Sequence, residues 1–196
     1  MLESMKIKSL QNKAAELRRE RQSSQVSDAK RKKEITIYFQ LAKIYEKLRF
    51  DKKQLNAEIY MMESYRAAAN LGSAEAQYIL SDLLIKKGRF WQHLNSTIWA
   101  DKIHQKYAHD MYSEAFAYLK LAEDQDYPLA IRLHGLTYIN GWGVEVDQDR
   151  GFKLVVDSID KEQAWDRATQ IFEEIGLNKP EFFSSIMSVK QNQNKT

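Results

Sequence analysis

Residues 135–151 read GLTYINGWGVEVDQDRG. An apolar helical stripe runs into this stretch through Ala130, Leu133, Thr137 and Tyr138, and another leaves it through Leu154, Val155 and Ile159. Between them, Gly141 and Gly143 offer the positive φ that ends a helix and turns the chain. Asp147 is placed to accept backbone N–H groups at the start of the next helix. Val144 is the apolar residue that can plug the mouth of the hairpin. The stretch predicts two antiparallel helices joined by a tight loop.

The same pattern spreads outward. Tyr38, Leu41, Ala42, Tyr45 and Leu48 fall at helical spacing, as do Ala57, Tyr60, Met61, Ser64, Tyr65 and Ala68. Further stripes are Ala76, Ile79, Leu80, Leu83 and Leu84; Met111, Ala115, Tyr118, Leu119 and Ala122; and Ala164, Ala168, Ile171, Phe172 and Ile175. Each is the apolar face of an amphipathic helix, and seven short helices are expected. With Pro 2 and Gly 7 in 196 residues, the chain has too few turn formers for a β-sandwich or barrel. With Cys 0 it has no disulfide framework, thiolate metal site or thiol nucleophile. The fold class expected is all-α.

Self-similarity makes it a repeat. Tyr65 to Leu80 reads as helix, tight turn at Gly72 and helix, and residues 122–135 overlay it at an offset of 54. Residues 41–45 match 80–84 at an offset of 39. The segment 135–151 resembles the Sel-one-like repeat family, relatives of the tetratricopeptide repeats. Gly135, Tyr138, Gly141, Gly143, Val144 and Asp147 occupy the family's pattern, with Arg150 for Lys and Gly151 for Ala. Gly72, Ala74, Ala76 and Gln77 follow the family's turn, although Ser81 stands where it has Gly, Leu84 where it has Tyr, and Lys87 where it has the first loop Gly. The resemblance covers roughly residues 34–177 and implies an α/α solenoid of stacked helical hairpins.

Charge divides the chain. Residues 1–33 carry ten Lys/Arg, among them Arg18, Arg19, Arg21, Lys30, Arg31, Lys32 and Lys33, against four acidic residues; the rest carries 20 basic and 23 acidic. A basic N-terminal arm, partly helical or disordered, is expected ahead of the repeat domain. With Leu2, Met5, Leu10, Ala14 and Leu17 at helix-compatible intervals, it reads either as a solvated, partly frayed helix that packs on the first repeat or on nothing, or as an electrostatic docking segment for an acidic protein, a nucleic acid or anionic lipid. Ser23 to Ser27 break its helical run. No aromatic residue falls in 1–33, so base stacking has nothing to work with there. Residues 178–196 read as a capping helix begun by Pro180, or a tether docked by Phe182 and Phe183, with a disordered end from Gln191 to Thr196.

The spacing of 54 exceeds the family's period by an insertion at about 89–110, expected as a loop between a helix ending near Lys87 and one starting near Met111. It holds Phe90, Trp91, Trp99 and Tyr107, with Tyr112 just beyond. Two readings stand open: these rings fill a gap in the core, or they form a partner-binding surface. Asp101, His104, His109 and Asp110 lack a metal-ligand spacing. No glycine-rich phosphate loop or nucleophile elbow occurs, and His134 reads as a half-buried, hydrogen-bonded residue. No catalytic, cofactor or metal site is expected. The longest apolar run is far short of a membrane span, and the charged start does not read as a signal peptide, so a cytoplasmic location is expected. The family resemblance implies a non-enzymatic bacterial adaptor or scaffold binding protein partners in a larger assembly, such as a secretion or signalling complex. The alternative is a nucleic-acid-associated factor using the basic arm.

Overall fold

The computed structural model describes residues 2–23, 27–51 and 55–193. Nine α-helices and one 3-10 turn make up the described residues, and no strand occurs among them. They are α1 (Leu2–Ser23), α2 (Asp28–Leu48), α3 (Ala57–Asn70), α4 (Ala74–Asn95), α5 (Lys102–Glu123), α6 (Pro128–Asn140), α7 (Gln148–Glu162), the turn Trp165–Arg167, α8 (Ala168–Glu174) and α9 (Pro180–Gln193). The all-α expectation holds, and helices pack mainly on their sequence neighbours. The chain divides into two units, residues 1–80 and 81–196, the division falling inside α4.

In the first unit, α2 buries Ile37, Leu41, Ala42 and Tyr45, and α3 buries Ala57, Met61, Tyr65 and Ala68. Phe39 meets Tyr65 edge-on at 5.7 Å. The basic segment folds back as well. Leu10 and Ala14 of α1 are buried, Gln11 Nε2 donates to the Tyr45 hydroxyl at 3.1 Å, and Arg21 Nε donates to Glu34 Oε2 at 3.2 Å. An amphipathic stripe thus seats α1 on α2, where charge alone points to a free arm. Of the predicted break, residues 24–26 lie outside the described residues, while Ser27 caps α2 by accepting from Lys30 N. After α3 the chain turns at Gly72, φ +88°. Gly72 N donates to Ala69 O at 2.9 Å and Ser73 N to Ala68 O at 3.3 Å, a glycine-terminated helix end. Ala76 is fully buried, and Gln77 Nε2 donates back to Ala69 O at 3.1 Å.

In the second unit the loop after α6 closes as expected. Gly141 ends α6 in the left-handed region at φ +69°, Gly143 follows at φ +72°, and Trp142 N donates to Thr137 O at 3.0 Å. Asp147 begins α7 by accepting from Arg150 N at 3.0 Å. Asp147→Ala should cost about 1 kcal/mol of stability and Asp147→Ser much less, as for other helix caps. Equal chemical-denaturation midpoints for wild type and Asp147→Ala would remove the cap from the account. Tyr138 receives the Arg150 guanidinium 4.2 Å above its ring.

The crossing of α6 and α7 is closer than the family pattern implies. A Cβ on Gly135 would lie 2.7 Å from Gly151 O, and one on Gly151 would lie 2.7 Å from Gly135 O. Ala is the residue expected at 151, yet this crossing has room for a methyl on neither helix. Arg132, buried on α6, donates from Nε to Ser158 Oγ at 3.1 Å and pairs with Glu162 of α7. The C-terminal segment is a capping helix: Ile186 is fully buried, Phe182 packs on Phe152 at 5.9 Å and Phe183 on Phe172 at 6.0 Å. Helix α9 continues to Gln193, so residues 191–193 of the expected disordered end are helical, and 194–196 lie outside the described residues.

Candidate binding surface

The insertion is mostly helix. α4 continues to Asn95 and α5 begins at Lys102, leaving a connection of residues 96–101 in place of a loop spanning 89–110. The physical reason is local: no Pro or Gly interrupts 89–95 or 102–110, and both stretches extend their helices by whole turns. Hydroxyls close α4, with Ser96 Oγ donating to His93 O and Thr97 Oγ1 to Leu94 O, each at 2.7 Å. Thr97 Oγ1 also accepts from Trp99 N at 3.2 Å. Asp101 then caps α5 by accepting from Ile103 N at 2.9 Å. The connection is short and held at both ends.

The five predicted surface rings separate into three environments. Tyr112 is 5% exposed and belongs to the interior. Its ring stands between two glycines: a Cβ would come within 2.9 Å of it from Gly88 and within 2.5 Å from Gly143. Burial pushes its hydroxyl above the ordinary tyrosine value, so at neutral pH the protonated hydroxyl donates to Gln92 Oε1 at 2.6 Å. Tyr112 is therefore withdrawn from the binding set. Trp91 is half-buried and joins the two helices, meeting Phe90 at 5.3 Å on its own helix and Tyr107 at 5.1 Å and His104 at 5.4 Å on α5. Phe90, Trp99 and Tyr107 are exposed, Trp99 by 70%. Two aliphatic residues that the aromatic pattern does not single out join them, Ile103 and Ile98, the latter 93% exposed. Beside them lies an open cleft of about 620 Å³ lined by Leu94, Ile98, Trp99, Ala100, Asp101 and His104.

Three basic residues of the N-terminal segment form ion pairs. Arg21 pairs with Glu34, Lys30 with Glu20 at 2.7 Å and Arg31 with Asp28 at 3.1 Å. Arg18 and Arg21 line a small polar cleft with Glu34, Tyr38, Arg66 and Asn70. Arg19, Lys32 and Lys33 are exposed on the same two helices. His134 stands as the sequence indicates, half-buried with Nδ1 2.6 Å from Glu123 Oε1. Among the described residues, no three His, Asp or Glu side chains come together as a metal site, and no helix is long and apolar enough to cross a membrane. No known family model matches the chain, and no curated protein matches it.

Proposed function

We propose that this chain is a non-enzymatic adaptor, a stack of Sel-one-like hairpins that holds protein partners within a larger bacterial assembly, such as a cytoplasmic signalling or secretion complex. The observation that carries the reading is the outer end of α4 and α5, where Phe90 and Tyr107 stand exposed on the helices and Trp99 on the turn between them, with Trp91 and Tyr112 fixing the helices from beneath. Large rings on a preordered support are the usual anchors of protein interfaces, since little entropy is lost in fixing them. The hairpin loop at residues 141–147, with two left-handed glycines and an aspartate cap, supports the repeat resemblance. The nucleic-acid alternative is the weaker reading, because residues 1–33 hold no aromatic ring on which a base could stack and Arg21, Lys30 and Arg31 face carboxylates.

Affinity capture with the intact protein, followed by identification of the recovered chains, tests this. Phe90→Ala with Tyr107→Ala should lower recovery of a specific partner by about tenfold or more while melting changes little, the scale of losing interface anchors. Unchanged recovery by the double variant would refute this surface, and capture of nucleic acid abolished by salt would favour the alternative.

A further inference from the structure

The α4–α5 end raises a second question, which rests on its being a binding surface: what meets its tip. Ile98 and Trp99 are the most exposed of its apolar residues, and they sit in the six-residue turn where the two helices end. Ile98 is 93% exposed and Trp99 70%. Their backbone is nevertheless fixed, by Thr97 Oγ1 on one side and the Asp101 cap on the other. Ile103 and Tyr107 continue the apolar surface along α5 at helical spacing, and Lys102 and Lys106 are exposed beside them. Residues 86–110 carry five Lys/Arg against Asp101 and Asp110, and Asp101 faces the positive end of α5 as its cap.

A protruding Ile-Trp pair needs a concave apolar receptor on a protein, but a fluid bilayer needs no matching groove. Trp and Tyr favour the headgroup layer, where an apolar ring body and a polar edge are both satisfied. Aliphatic burial in the acyl boundary together with flanking cations over anionic headgroups is the combination that holds peripheral proteins to membranes. We infer that the tip of the α4–α5 hairpin is a lipid-docking element: Ile98 and Trp99 enter the headgroup region of an anionic bilayer, with Lys102 and Lys106 over its phosphates. Trp99 then leaves the protein-facing set, and Phe90 and Tyr107 remain for a protein partner. The adaptor would touch the membrane directly rather than only through its partners.

The test uses the full chain with phosphatidylcholine vesicles, with and without about one-third phosphatidylglycerol. Wild type should co-sediment with the anionic vesicles and show a blue shift of tryptophan emission. Trp99→Ala and Ile98→Asp should each weaken partition by about tenfold or more, with melting unchanged because both side chains are exposed. Lys102→Glu with Lys106→Glu should remove the preference for anionic vesicles. Failure of wild type to partition overturns the inference. So does partition that Trp99→Ala and Ile98→Asp leave intact, since the attachment would then lie outside the tip. Neither result bears on protein capture, which is read with Phe90→Ala and Tyr107→Ala and without lipid.

Discussion

Gly143→Val should destabilise the protein by about 4 kcal/mol, the sum of a strained backbone and an overpacked contact, each worth roughly 1–3 kcal/mol. Gly143 has φ +72°, where a β-branched residue is strained. A Cβ there would also lie 2.5 Å from Tyr112 Cγ and 2.7 Å from Cδ2. The ring has little room to retreat, because its Cδ1–Cε1 edge lies against Gly88 of α4, where a Cβ would come within 2.9 Å of it. The same contact bears on Gly143→Asn. Asn accepts the left-handed backbone, but its Cβ meets the same ring, so about 2 kcal/mol of the loss should remain. Chemical denaturation of the three proteins measures both effects. A variant Gly143→Val as stable as wild type would refute the packing of the loop on Tyr112. If the ring is the obstacle, Gly143→Asn should cost less in a Tyr112→Leu background, since contacting residues do not act additively.

Arg132→Met should cost about 3 kcal/mol, near the lower end for removing one partner of a buried ion pair. Arg132 is buried, its Nε is held by Ser158 Oγ at 3.1 Å, and its pairing with Glu162 ties α6 to α7. Met keeps most of the apolar stem and removes only the charge. The loss then comes from Glu162, left without its cation, and from the Ser158 hydroxyl, which keeps its bond to Val155 O at 2.7 Å but loses a donor. Adding Glu162→Gln should restore much of the stability, because the orphaned charge goes with it. Equal stability of wild type and Arg132→Met would show that the pair is too well solvated to matter, and a double variant no better than the single would place the loss in packing.

What the sequence reveals here depends on whether a feature is local. Gly72, Gly141, Gly143 and Asp147 each do a one-residue backbone task, a left-handed turn or a cap, and the residue types announce it. The helices follow equally directly from their stripes. The insertion is less legible, because a repeat period tells where extra residues lie but not that they lengthen two helices. Exposure of its rings depends on tertiary neighbours: Trp91 and Tyr112 resemble Trp99 and Tyr107 in type and spacing, and only the opposing helix separates them. One signal was available. Gly88 lies within a helical stretch, where glycine costs about 1 kcal/mol relative to Ala, and such a residue usually makes room for something; here it makes room for Tyr112. For α1, its six cations draw attention to solvent, while the quieter stripe of Leu10 and Ala14 decides that the helix docks.

The seam between α6 and α7 also bears on how this protein can change over generations. A Cβ on either Gly135 or Gly151 would lie 2.7 Å from the other's carbonyl oxygen, so the two are inherited as one character rather than two. A first methyl at either position must pry the helices apart. Once they are apart, a second methyl meets a gap already opened and costs far less, as expected for substitutions that share one contact. Lineages that keep this close crossing should therefore keep both glycines, whereas the Ala that the repeat pattern has at 151 calls for a wider one.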